Sequence, residues 1–188
     1  MAKIEKKKNK LFEEIEIPSG INAILENEFI ILKNGSNEIK RKLNQVIDAK
    51  IEGNKIIIST KKSTKRERKM FGTAKAHIRN MIKGLNENFK YKLQTASVHF
   101  PMTLTHDKTT NELVVKNFLG EKKDRRIKLI EGVNVKLNKE TIELDSADIE
   151  KAGQAAANIE NGTKVRKRDR RIFQDGIFII EKPGVNYL

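Results

Sequence analysis

The sequence predicts an α+β chain made of two tandem copies of one small domain, each an antiparallel sheet covered by one main helix. Three observations carry this. Gly72-Thr-Ala-Lys-Ala-His-Ile-Arg-Asn80 aligns with Gly153-Gln-Ala-Ala-Ala-Asn-Ile-Glu-Asn161, with five identities in nine positions. The strands ahead of them align in pattern, Ala49 to Ser59 with Val135 to Asp145, and Leu32 to Gly35 is echoed by Asn117 to Gly120. In each half, short apolar runs broken by turn signals give way to a longer stretch of helical character. A repeat of about 80 residues is too long for a solenoid unit and suits a separately packed domain. The expected divisions are a basic flexible arm at 1–10, a first repeat at 11–85, a second at 86–182 and a C-terminal tail at 183–188.

Taken in order, Met1 to Lys10 holds five lysines and little that could pack, so it reads as a mobile arm, either simply solvated or with a contact of its own. From Leu11 a β pattern begins. Glu13 to Ile17 alternates, Pro18-Ser19-Gly20 breaks it, and Glu28 to Lys33 is a second apolar run ending at the Asn34-Gly35 turn signal. Strands follow at Ile39 to Leu43, Val46 to Ile51 and, after Gly53-Asn54, Lys55 to Thr60, a spacing that predicts a compact antiparallel meander. At Thr64 the period changes. Thr64-x-x-Glu67 is a capping-box pattern, and Met70, Ala74, Ile78, Met81 and Leu85 give one apolar helix face behind it.

The second copy starts near Asn86, with strands expected at Tyr91 to Phe100, Glu112 to Lys116, Arg126 to Ile130, Val133 to Leu137 and Thr141 to Leu144. Its helix is predicted from Ser146 to about Asn161, capped by Asp145 or Ser146, with Asp148 and Glu150 suiting the dipole of its first turn. The small residues Ala152 to Ala157 allow close approach to a sheet, and Gly162 is expected to stop the helix.

Charge is distributed unevenly over this frame. Net charge is +14, which favours a polyanionic partner. Ten of the 39 basic residues are arginine, and Arg166, Arg168, Arg170 and Arg171 fall within six positions. With Lys164, Lys167 and Lys182 they are the candidate nucleic-acid contacts, because arginine's planar fork grips phosphate oxygens in pairs. A solvated charge run is the plainer reading, and the strand-forming sequence directly behind it, Ile172 to Ile180 around an Asp175-Gly176 turn signal, argues for a fixed patch instead. Lys61, Lys62, Lys65 and Arg66 crowd the first helix start, where the dipole disfavours cations by a few tenths of a kcal/mol each. Both a wet surface and secondary phosphate contacts fit them. Aromatic residues are 5% and tryptophan is absent, so duplex or folded nucleic acid is a better target than a stacked single strand.

Other chemistries find little support. His77, His99 and His106 have no metal-ligand spacing and there is no cysteine to complete a site, so neither a metal nor a cofactor is expected. His77 sits beside the helix's apolar face and His106 in a polar loop. No dinucleotide or P-loop motif occurs, and nothing assembles a nucleophile, a base and an orienting group. No catalytic residue is assigned. No apolar run has the length of a membrane span and no signal peptide precedes the first polar residues, so the expectation is a cytosolic protein with neither membrane nor small-molecule partner.

Arg171-x-Phe173-x-Asp175-Gly176-Ile177-Phe178-Ile179-x-x-Lys182, together with the duplication and the Met70 to Thr73 segment, resembles large-subunit ribosomal protein family six in its archaeal and eukaryotic branch, protein nine in eukaryotic numbering. The resemblance spans about Ile15 to Lys182. It implies two similar α+β domains, the second gripping large-subunit rRNA near the factor-binding region and the sarcin-ricin loop, with neighbouring ribosomal proteins as further partners. The expectation is therefore a structural rRNA-binding protein of the ribosome. The rivals are a non-ribosomal binder of duplex nucleic acid and an enzyme acting on RNA, which would need an acid, base or metal site.

Overall fold

The computed structural model describes residues 11–35 and 37–187, and the basic arm expected at 1–10 lies outside the described residues. The described residues divide into two units, one ending at residue 87 and the other beginning at residue 88. In the first, the capping box at Thr64 forms, with the Thr64 N–H donating to Glu67 Oε2 at 3.1 Å. The helix it starts, α1 (Lys65–Asn86), buries Phe71, Ala74, Ile78, Met81 and Leu85. Phe71 takes the position expected of Met70, which is only half-buried.

Ahead of α1 come β1 (Phe12–Glu16), β2 (Asn22–Glu26), β3 (Phe29–Asn34), β4 (Asn37–Lys42), β5 (Ile47–Glu52) and β6 (Lys55–Thr60). They do not form the single meander expected. They form two three-stranded antiparallel sheets, β2-β3-β4 and β1-β6-β5, and α1 lies against β3 of one and β6 of the other. Ile30, Leu32, Ile56, Ile58 and Ile78 are fully enclosed at this junction, each contributing about 1.5–3 kcal/mol by apolar burial.

The second unit repeats this plan. β7 (Phe89–Ala96), β8 (Thr103–Asp107), β9 (Glu112–Lys116), β10 (Arg125–Lys128), β11 (Asn134–Leu137), β12 (Thr141–Ser146) and α2 (Ile149–Gly162) follow the order of their counterparts. Sheet β10-β9-β8 answers β4-β3-β2, and β11-β12-β7 answers β5-β6-β1. Two α+β copies in tandem are thus present. What the second adds is β13 (Gly176–Lys182), paired to the free side of β7, and β14 (Val185–Asn186), which turns residues expected as a tail back onto β13.

Small residues bring α2 onto the sheet. Ala152, Ala155, Ala156 and Ile159 are wholly buried, against a core that includes Leu93, Ile142, Leu144 and Ile177. Both ends of α2 differ from expectation. The cap is Asp148, which accepts from the Glu150 N–H at 2.9 Å, while Ser146 ends β12 and donates to the Gly132 carbonyl at 2.8 Å. Gly162 is the last helical residue and not a left-handed stop. Glycine is needed there because an added Cβ would lie 2.6 Å from the Ile127 side chain.

Candidate nucleic-acid interface

The basic stretch of the second unit is held at its start by Thr163. This residue is buried, its hydroxyl donates to the Ile159 carbonyl at 3.1 Å, and its oxygen accepts from the Ile177 N–H at 3.1 Å. The end of α2 is thereby clipped to β13. Two residues on, Val165 inserts into the core. Lys164, Arg166, Lys167, Arg168, Arg170 and Arg171 are all exposed around these fixings. The single carboxylate among them, Asp169, is exposed and braces the backbone: its Oδ1 accepts from the Arg171 N–H at 2.9 Å, and its carbonyl accepts from the Phe173 N–H at 2.9 Å. It therefore tightens the turn through backbone groups.

The far end is held by Asp175. Its carboxylate is buried and accepts from the Val98 N–H at 2.9 Å, the His99 N–H at 3.0 Å and the His99 ring N–H at 2.5 Å. Burial pushes this carboxyl upward, but the hydrogen bonds from His99 and Val98 outweigh it and hold the group below the ordinary aspartate range. The Asp-Gly pair is thus not the turn expected from its sequence: Asp175 is a buried acceptor and Gly176 opens β13. His99 in turn stacks on Phe173, ring centres 4.9 Å apart, and the Arg168 guanidinium lies 4.7 Å from the centre of the Phe173 ring. A column from Asp175 through His99 and Phe173 so orients one arginine from beneath.

A second arginine, not singled out from sequence, organises the neighbouring turn. Arg125 grips both oxygens of Glu121, at 2.6 and 2.8 Å, and donates to the carbonyls of Gly162 and Lys164 at 3.1 and 3.3 Å. The Glu121 carboxyl is held low first by those Arg125 bonds and further by the charge of Arg168, and the Arg125 bonds to the Gly162 and Lys164 carbonyls tie the two turns together. Lys122 and Lys123, exposed on that turn, widen the cationic surface. Spacing alone gave no sign of this, since they lie some 40 positions upstream of the arginines.

The remaining sequence candidates stand apart. Lys182 closes the opposite end of β13, roughly 20 Å along the strand at about 3.3 Å per residue, where its ammonium sits 4.9 Å from the Tyr187 ring centre. Lys61, Lys62, Lys65 and Arg66 are exposed at the start of α1 in the first unit. The histidines have structural surroundings. His77 Nε2 accepts from Arg41 at 3.1 Å, and His106 lies on β8 rather than in the loop expected. Among the described residues no helix is long and apolar enough to cross a membrane.

Residues 17–88 and 108–176 match the model of the family described as Ribosomal protein L6, one match in each unit. Over 173 residues the chain is 44% identical to large ribosomal subunit protein uL6 of Methanococcus vannielii, covering 92% of this chain and 94% of that protein. It is 40% identical over 174 residues to the uL6 proteins of Sulfurisphaera tokodaii, with 92% of both chains covered, and of Staphylothermus marinus, with 91% and 94% covered. A duplicated α+β plan and this length of similarity agree: the chain belongs to the ribosomal protein L6 family, in its archaeal and eukaryotic branch, a family of structural, non-enzymatic proteins of the large ribosomal subunit.

Proposed function

We propose that the protein binds and stabilises folded large-subunit rRNA, chiefly through its second unit, near the translation-factor-binding region of cytoplasmic ribosomes and beside other ribosomal proteins. The observation that carries this is the loop from Lys164 to Arg171. It presents six exposed cationic side chains against one carboxylate, and it is pinned at both ends by buried groups, Thr163 and Asp175. A pinned loop loses little conformational freedom on binding, so more of each phosphate contact is retained as affinity. The arginine forks supply paired donors, and release of counterions condensed on the RNA supplies the favourable entropy. Lys61, Lys62, Lys65 and Arg66 in the first unit add long-range attraction. Placement near the factor-binding region rests on the family.

Binding of the full chain to a large-subunit rRNA fragment tests this. If about six phosphates are neutralised, affinity falls by roughly 10³-fold or more between 50 and 200 mM salt. A flat salt dependence would contradict phosphate contact as the main source of affinity. Equal competition by duplex DNA would favour the non-ribosomal reading.

A further inference from the structure

Beside the basic loop the second unit has an open cleft of about 570 Å³. That lies within the range of roughly 300–1,000 Å³ found for small-molecule sites in general. Its composition is divided. Lys164 and Arg170 are exposed at its mouth, while buried Gly176 and Ile177 lie at its base. Phe178 also lines it and is 37% exposed, a high value for a phenylalanine in a paired strand. The ring leans back over Gly176, where an added Cβ would meet Phe178 Cζ at 3.0 Å, so glycine gives the ring its place. Glu160 also lines the cleft, and its carboxylate makes the interior unsuitable for a phosphate.

We propose that this cleft receives one unstacked nucleobase of the bound RNA, with the phosphates on either side of it held at the mouth by Lys164 and Arg170. The inference rests on the RNA-binding role proposed above and adds a base-recognising contact to it. Charge complementarity selects the occupant: the cations at the mouth suit a polyanion, and the apolar ring beside them suits its planar part. The Phe173 ring is already engaged by His99 and Arg168, which leaves Phe178 as the stacking surface. Folded RNA offers such bases at bulges and loops, where proteins read them by stacking and edge hydrogen bonds.

The test compares Phe178→Ala, Phe178→Tyr and Arg170→Gln with the wild-type full chain, using one large-subunit rRNA fragment over a salt series, with thermal unfolding as the folding control. Phe178→Ala is expected to weaken binding about 5- to 150-fold, the range for one stacked base, with the salt slope unchanged because no phosphate contact is lost. Phe178→Tyr should restore affinity. Arg170→Gln should weaken binding and flatten the slope by about 1. Chemical probing should show one base protected by the wild type and released in Phe178→Ala. Wild-type affinity and wild-type base protection in Phe178→Ala would overturn the cleft inference and, if Arg170→Gln still weakens binding, leave the RNA-binding role standing. Salt-independent binding by the wild type would overturn both.

Discussion

Replacing Arg166, Arg168, Arg170 and Arg171 together by glutamine removes four charges and leaves the fixings of their loop in place. Thr163 and Asp175 hold its ends through buried bonds, and Asp169 shapes the turn through backbone groups, so none of these requires an arginine side chain. Arg168 alone has a fold contact, over the Phe173 ring, costing about 0.5–1 kcal/mol when lost. The effect on binding is larger. At about 1–1.5 kcal/mol net for each hydrogen bond lost, the upper part of the ordinary range, the four together are worth roughly 4–6 kcal/mol, or about 10³- to 10⁴-fold in affinity. The salt slope should fall by about 3 to 4. The matched set Lys61, Lys62, Lys65 and Lys69 carries equal charge on flexible stems in the first unit, so its conversion to glutamine should cost clearly less and act mainly on the association rate. Calorimetric titration of one rRNA fragment at one salt concentration decides, after both variants show wild-type unfolding. Equal losses from the two sets would refute the claim that a fixed arginine loop is the anchor.

Other outcomes follow from the packing. Asp175→Ala leaves the N–H groups of Val98 and His99 and the His99 ring without their acceptor, a loss of about 1–3 kcal/mol that should appear as a lower unfolding midpoint and as weaker RNA binding. Because the Asp175 carboxyl is held low in the fold, its charge contributes stability that is present above the unfolded value near 3.9 and is lost as pH falls through the folded one. Asp175→Asn should therefore lose less stability than wild type as pH falls below about 4, and an equal or steeper acid loss in the variant would contradict this. Gly162→Ala should destabilise by about 1–3 kcal/mol, since its Cβ would press on buried Ile127. Gly72→Ala has open space and should be neutral or stabilise by about 0.5–1 kcal/mol in denaturant unfolding.

Features with a local or periodic signal were legible in the sequence. The capping box at Thr64, the stripe through Ala74, Ile78 and Met81, and the repeated helix segments each express themselves within a few turns of chain, and so does the arginine cluster. Features set by distant partners were not. β2 passed unmarked because it is an outer strand with only Ala23 half-buried, which removes the alternation that marks a strand packed on one face, and β8 because Leu104 is the one aliphatic side chain in its five residues. The Asp175-Gly176 pair carries a strong turn signal, but Val98 and His99, far upstream, supply donors that recruit the aspartate into the interior. Arg125 lies in a basic run that looks like ordinary surface charge, and only the fold brings it to the carbonyls at the end of α2. The shift of the α2 cap from Asp145 or Ser146 to Asp148 has the same origin, since Ser146 is drawn away by the Gly132 carbonyl.

The proposed binding sets the ordered loop of the second unit against folded rRNA. The chain contains no cysteine, so a single Arg166→Cys substitution gives a unique attachment point for a hydroxyl-radical source, with Lys62→Cys as the matched probe in the first unit. Assembled into large subunits, the probe at position 166 should cut the rRNA strongly within one compact region that includes the factor-binding region, and the probe at position 62 should cut more weakly. Background cleavage from position 166, with strong cutting from position 62, would contradict the account.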